Sequence, residues 1–541
     1  MCDSHSRCLI PPHPALRERL KTDLERLRES APALAPLLRI GQPNRPGLND
    51  GVIVPGDHFP VGTPLAVVRS AALERALRGS VRVVVVLVEF TDRKFDPRHG
   101  AAHFNELFFS RGALATGSVR EYFGEVSRGD IDVVGEVVGP FTLPLTMAEY
   151  ANGASGTGAE EPNARTMARH AAEMANPRVD FKPYDNDGNG FVDAFIVVHA
   201  GTGGETTGNG GDIWSHKWVL ANGEYNADGT RIYAYLTVPE DARIGVCCHE
   251  LGHLLFGWPD LYDTDGTSEG LGNWCLMAGG SWNGGGDVPA HPSAWCKAQQ
   301  GWVAVTNQTQ NGVLTVADVK DSRTVYRLWK DGAGGSEYFL VENRQPARFD
   351  RLLPGGGLLV YHVDDAAGTN ANERHPKVAL LQADGSQHLT LGLNRGDGGD
   401  PFPGSTNKVA LTGATVPSTR SYNNVPTGVA LTGISAPGPV MTATVTVRPA
   451  AMPRRRRIVE RAGTGARGAE TVSGSVRDLV LELYEAVNGE PAPATGNDEA
   501  WREAVETRLA AIEHAVSGGL TMPVGRELSL AAAENGGAYE S

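Results

Sequence analysis

Cysteine is scarce in this chain, with six in 541 residues. So low a count excludes a disulfide-built scaffold, which concentrates many bridges in a short chain. Four of the six, Cys247, Cys248, Cys275 and Cys296, fall near one segment, where they read equally as a bridge or as small buried apolar residues. No apolar run approaches the roughly 20 residues needed to cross a bilayer. The longest, Val83 to Val88, has the length of a core strand, so no membrane span is expected. Positive charge is outweighed, 49 Lys and Arg against 63 Asp and Glu, for a formal net charge of −14. That balance argues against a general nucleic-acid surface, because phosphate binding depends on clustered cations. No signal-peptide-length apolar segment precedes the polar stretch Arg17 to Arg28, so classical secretion is not written into the N-terminus. What is present, 41% hydrophobic and 21% charged residues, suffices for a large core shared by two to four domains.

Along the chain, Leu among Arg and Glu from Pro14 to Leu38 predicts one or two short helices, followed by a Pro/Gly-rich stretch from Gln42 to Pro64. The β-branched run Val81 to Phe90 opens a region of mixed strands and helices, with helices expected around Ser118 to Ser127 and Asn163 to Met174. Beyond Trp302, short strand-like runs at Val325 to Trp329, Tyr338 to Glu342, Leu358 to Val363 and Met441 to Val447 predict a β-rich domain. The basic cluster Arg454 to Arg457 reads as a linker before two helical patterns, Ser475 to Val487 and Glu499 to Val516. The expected organisation is an N-terminal propeptide-like region (1–80), a catalytic domain (81–305), a β-rich domain (306–450) and a linker with a helical or disordered tail (451–541).

The most informative segment is Cys248-His249-Glu250-Leu251-Gly252-His253, continuing to Gly257, Pro259, Asp260, Tyr262 and Asp263. Histidines four apart share a helical face, so His249 and His253 can reach one Zn²⁺ while a coordination position stays open for water. Glu250 lies beside the ligands, where a carboxylate can take a proton from the attacking water and pass it to the leaving amine. Zinc needs a third protein ligand. Gly257 can turn the chain so that Asp260 reaches back, while a helix-end role for Asp260, or replacement by a downstream acid or His291, stays open.

These residues resemble the immune inhibitor A-like metallopeptidases of family M6, whose signature is His-Glu-x-x-His followed by Gly, Pro-Asp and Tyr-Asp. The resemblance extends to Ile213-Trp214-Ser215-His216, to Gly272 through Trp282 with Met277 as a methionine turn beneath the zinc, to Val341 through Gln345, and to Gly396 through Gly404, covering roughly residues 81 to 430. It implies a metzincin-like α/β (α+β) catalytic fold followed by a β-rich domain, zinc-dependent endopeptidase activity on protein or peptide substrates, a preceding propeptide and secretion. Two departures stand out. Phe256 looks like an insertion before Gly257, which bears on the placement of Asp260, and the expected signal peptide is not visible. A tyrosine after the methionine turn, seen in related clans, is also absent.

A second ion is expected at Asp185-Asn186-Asp187-Gly188-Asn189-Gly190-Phe191-Val192-Asp193, where Asp185, Asp187, Asn189 and Asp193 offer oxygens at the alternating positions that calcium favours. The competing reading is an Asx turn leading into a strand at Ala194 to His199. The Gly-rich stretch Gly201 to Gly211 lacks a phosphate-loop ending and reads as an active-site loop. His216 and His291 stand as cleft-lining or merely packed residues, and a thiol in Cys2 to Cys8 as a cap on the zinc of a latent form. The alternative function is a non-catalytic, metal-stabilised binding or adhesion protein. A small-molecule zinc hydrolase would keep the same site. Composition and motifs do not address oligomeric state.

Overall fold

The structure is a computed structural model and describes residues 8–30 and 77–448. These all fall in one compact unit bounded at Ala451. The expected linker and tail helices, and the stretch Gln42 to Pro64, lie outside the described residues.

Strand β1 (Cys8–Leu9) and helix α1 (Pro14–Ser30) come first, the helix covering the expected N-terminal pattern as far as Ser30, with the remainder to Leu38 outside the described residues. Then follow β2 (Gly79–Glu89), α2 (Ala101–Phe109), α3 (Val119–Val126), β3 (Ile131–Thr142) and α4 (Ala164–Ala175). The β-branched run predicted as a core strand is β2, buried continuously from Val83 to Val88 as befits a central parallel strand. Helices α3 and α4 begin at the polar residues that cap them. The Ser118 side chain accepts from the Glu121 amide while Glu121 reaches back to the Ser118 amide, and Asn163 caps α4 in the same reciprocal way with Thr166.

Strands β4 (Phe195–His199), β5 (His216–Val219) and β6 (Ala234–Pro239) complete a six-stranded sheet in the order β1-β5-β6-β4-β2-β3. Four strands run parallel. β5 pairs antiparallel with β6, and β1 antiparallel with β5 in the register Leu9 to His216 and Cys8 to Lys217. Helix α5 (Ile244–Phe256) carries the histidine motif and is buried at every residue.

After α6 (Ala294–Gln299) the described residues carry, besides two short 3-10 turns, only strands: β7 (Ala304–Asn307), β8 (Gly312–Ala317), β9 (Thr324–Leu328), β10 (Glu337–Arg344), β11 (Gly357–Asp364), β12 (Val378–Leu380), β13 (Ala430–Thr432) and β14 (Val440–Thr446). They form a five-stranded sheet, β12-β11-β10-β9-β7, and a three-stranded one, β8-β14-β13. The expected mixed domain followed by a β-rich region is thus present as a change of element type. Packing does not break there, since Leu359, Tyr361 and Val363 of β11 join the same apolar cluster as Val83 and Val85 of β2, Leu254 of α5 and Met277. Among the described residues no helix is long and apolar enough to cross a membrane.

Candidate metal centre

Helix α5 ends where its sequence stops supporting it. Gly257 takes the left-handed conformation at φ 61°, which glycine tolerates without cost, and its amide donates to the His253 carbonyl. The Trp258 amide closes back on the Gly252 carbonyl at 3.2 Å, and the turned chain delivers Asp260 to the histidines. Phe256, the extra residue, completes the last turn and packs between Trp258 and Trp302, with ring centroids 5.1 and 4.9 Å away.

His249 Nε2 lies 3.0 Å from His253 Nε2, and each lies 3.1 Å from Asp260 Oδ1. Both rings are oriented from behind, because His249 Nδ1 meets the Leu276 carbonyl at 2.9 Å and His253 Nδ1 the Trp258 carbonyl at 2.6 Å. Nδ1–H donation to those carbonyls leaves both Nε2 lone pairs directed at Asp260, the tautomer a metal-ligating histidine needs. Burial works to raise the Asp260 carboxyl, but in the absence of a cation the charge and Nε2–H donation of protonated imidazoles outweigh it and hold its pKa below the ordinary value. Burial pushes the His253 imidazole down despite the neighbouring carboxylate. Two nitrogens and a carboxylate oxygen converging in a dry site fit a zinc ion's donor set.

Glu250, next to His249 on α5, lies near enough to Asp260 to feel its charge. Both its oxygens are buried without an ordinary hydrogen-bond partner among the described residues, an uncommon state for a carboxylate. Burial raises its pKa well above the usual range, with the negative charges of Asp260 and Glu205 adding to the effect and Lys217 opposing it. A cation beside Asp260 would relieve this cost.

Met277 lies beneath. Leu276 supplies the carbonyl that holds His249, and the Met277 carbonyl accepts from the Leu261 amide at 2.7 Å, so this one turn positions both the helix and the Asp260 loop. Close approach requires Gly252, where a Cβ would stand 2.7 Å from Met277 Sδ. The β-rich region braces the turn from outside: Trp274 Nε1 donates to Asp400 at 2.9 Å, and the buried Arg344 guanidinium, paired with Glu342 and Asp350, reaches the Trp274 carbonyl at 3.5 Å.

The remaining histidines and thiols are committed elsewhere. His216 bridges the Trp214 carbonyl and the Tyr235 hydroxyl at 2.6 and 2.8 Å, and His291 meets Glu125 at 2.8 Å. Cys247, Cys248, Cys275 and Cys296 are buried free thiols, so of the two readings of that cluster the apolar one holds and no bridge forms. The side chains of Cys2 and Cys8, candidates for a zinc-capping thiol, lie outside the described residues. The Gly-rich stretch holds a short helical turn, Gly204–Thr207, carrying the buried Glu205. Burial lifts the Glu205 carboxyl to about 7 although the Ser215 amide and hydroxyl both donate to it.

At the second predicted ion site, oxygens of Asp185, Asp187 and Asp193 lie within 4.8 Å of one another. Burial, then the charges of Asp187 and Asp185, raise Asp193 to about 7. Asn189 accepts from the Phe191 amide and donates to Asp187, closing the loop on itself.

The sequence brought the N-terminal segment to the site only as a thiol in Cys2 to Cys8, and the contacts of its backbone were not foreseen. From β1 the chain crosses in front of α5, and α1 is tethered beyond it by Arg17 and Lys21, both paired with Glu269 at 3.0 and 3.1 Å.

Residues 72–307 match the family model for the catalytic domain of immune inhibitor A peptidase M6. This segment belongs to the M6 peptidase family. Curated relatives agree. Pre-pro-metalloprotease PrtV of Vibrio cholerae serotype O1 (strain M66-2) is 30% identical over 283 residues, covering 42% of this chain and 30% of that protein. Immune inhibitor A of Bacillus thuringiensis subsp. alesti is 32% identical over 267 residues, covering 40% of this chain and 39% of that protein. The chain therefore spans well under half the length of these relatives. The M6 segment contains α5, the Asp260 loop and Met277, and it ends at Asn307, the last residue of β7.

Proposed function

We propose that this chain is a zinc-dependent endopeptidase in which His249, His253 and Asp260 hold the metal and Glu250 is the general base. One observation carries the reading: the buried Glu250 carboxylate makes no hydrogen bond by ordinary geometry, feels the Asp260 charge, and adjoins in the chain one of three convergent ligand residues. A purely structural site has no use for such a group, so the enzyme is favoured over a metal-stabilised binding module. Zinc would supply the Lewis acidity that polarises the scissile carbonyl. Glu250 takes one proton from the water as its oxygen adds to the carbonyl carbon, then delivers it to the departing nitrogen as the C–N bond breaks. The second proton of the water passes from the new acid to the amine, so the products are a carboxylate and an ammonium group, with no covalent enzyme intermediate.

The M6 segment, together with the names of its relatives, supports protein or peptide substrates for the whole chain, and secretion is carried over with the family. Residues before about 80 are assigned a propeptide-like role, supported by the way β1 closes the open edge of the sheet in front of the histidine helix. The 81–305 segment is the catalytic domain and 306–450 its β-rich support. The Asp185–Asp193 loop, with Asn189, is assigned calcium. Stripping metal with a zinc-selective chelator should abolish cleavage of unfolded casein, and stoichiometric zinc should restore it. Cleavage that survives complete zinc removal would contradict the assignment.

A further inference from the structure

Three successive backbone carbonyls of the N-terminal segment are each held by a different aromatic donor. The Tyr262 hydroxyl donates to the Leu9 oxygen, Trp214 Nε1 to the Ile10 oxygen and Trp282 Nε1 to the Pro11 oxygen, each at 2.8 Å. The Ile10 amide donates to the Ser215 carbonyl at 3.2 Å, continuing the antiparallel pairing of β1 with β5. The three donors come from separate places: Trp214 precedes β5, Tyr262 follows Asp260 by two residues, and Trp282 follows the Met277 turn. All three converge on one extended segment beside the metal ligands. Tyr262 is the innermost, its ring centroid 6.4 Å from that of His249. Of the three carbonyls, that of Leu9 is therefore the one whose fixed donor packs nearest a ligand histidine, the placement a reacting carbonyl needs as its oxygen gains charge.

We propose that Trp214, Tyr262 and Trp282 are the residues that bind substrate backbone, that the Leu9–Ile10 bond marks the scissile position, and that the Tyr262 hydroxyl is the donor to the reacting carbonyl. The inference rests on the peptidase reading for its chemistry, and on the hydrogen bonds alone for its binding part. Tyr262 keeps its proton throughout. Its hydrogen bond strengthens as the carbonyl oxygen gains charge on addition of water and relaxes when the C–N bond breaks. Because all three donors engage carbonyl oxygens and none engages a side chain, the substrate class is extended polypeptide of varied sequence, unfolded locally over at least three residues.

The test uses the full chain carrying Ile10→Asp, which puts a carboxylate at a fully buried apolar position and expels the chain's own segment. Binding of a fluorescent peptide with the sequence of residues 6–13, Cys8 replaced by Ser, is measured by anisotropy with Glu250→Ala added to keep the peptide intact. Casein cleavage is followed in parallel without that change. Tyr262→Phe, Trp214→Phe and Trp282→Phe should each weaken peptide binding by roughly 3- to 10-fold, the loss of one hydrogen bond. Tyr262→Phe should also lower kcat on casein by on the order of 100-fold, with a much smaller change in KM, whereas the tryptophan changes act mainly on KM. Unchanged peptide affinity in all three variants, with native circular dichroism, overturns the proposal whatever happens to casein. Weakened peptide binding in a parent that cuts no casein removes the peptidase reading and Tyr262's catalytic part, and leaves the backbone-binding set supported.

Discussion

Gly252 decides how closely the floor of the metal centre can approach the helix above it. A methyl group there would meet Met277 Sδ at 2.7 Å and the Trp258 ring at 3.0 Å, and either contact forces the turn or the Asp260 loop outward. Gly252→Ala should lower the unfolding free energy by about 1–3 kcal/mol, as overpacking of a tight core does, and weaken zinc binding with it. Denaturant titration and zinc titration check both, and an unchanged zinc affinity would show that Met277 does not position the ligands. At this scale the sequence was informative about what lies on one helical face. His249, Glu250 and His253 followed from a four-residue spacing, and Asp260 from a glycine that lets the chain double back. Tyr262, Trp214 and Trp282 were visible in the motifs without a role, because their partners are carbonyls at Leu9, Ile10 and Pro11, more than 200 positions away in the chain.

Elements with a pronounced apolar pattern were readable, down to the five residues of β9, and the shortest were not. Helices α3 and α4 and strands β2, β10, β11 and β14 repeat their apolar pattern over enough residues to be recognised, and polar caps mark where the helices start. Strand β1 has two residues and therefore no periodicity, so its place on the edge of β5 comes only from tertiary pairing. The Asp185–Asp193 loop between α4 and β4 was readable from its composition. Three carboxylates held within 4.8 Å repel one another until a cation joins them. Calcium at 100 times its dissociation constant should stabilise the fold by about 2.7 kcal/mol, visible as a raised Tm that a calcium chelator reverses. An Asp187→Asn/Asp193→Asn variant should lose that response, and a wild-type Tm insensitive to calcium would return the loop to a plain Asx turn.

At the scale of the whole molecule, the catalytic sheet and the β-rich region share one core, which no local pattern announces. The buried pairs Lys297 with Glu342 and Arg344 with Asp350 fasten α6 to β10 and β10 to the loop after it. The β-rich region also brings pH dependence. His362 is buried, stacked on Tyr422 with ring centroids 3.9 Å apart, and burial lowers its pKa to about 4 although Glu337 works to raise it. It is neutral in the fold, while the unfolded chain begins to take up its proton below about 6.5. Its contribution is full above that pH and is lost as pH falls toward 4. The stability cost of His362→Gln, measured by denaturant unfolding, should therefore shrink by roughly 2 kcal/mol between pH 7.5 and 4.5. A cost independent of pH would mean that folding leaves the pKa of this histidine at its unfolded value.

The central claim, that Glu250 is the base of a zinc peptidase built on His249, His253 and Asp260, meets its most direct test in one paired measurement. Wild-type and Glu250→Ala protein are assayed for cleavage of unfolded casein, each sample with its bound zinc quantified, before and after removal of the N-terminal segment by limited proteolysis. The account predicts that both proteins hold about one equivalent of zinc at the catalytic centre. It predicts that the wild type cuts casein once the segment is gone, and that Glu250→Ala loses at least about 100-fold in kcat. A Glu250→Ala protein that cuts as fast as wild type would contradict the account, as would a zinc-loaded wild type that cuts nothing after the segment is removed.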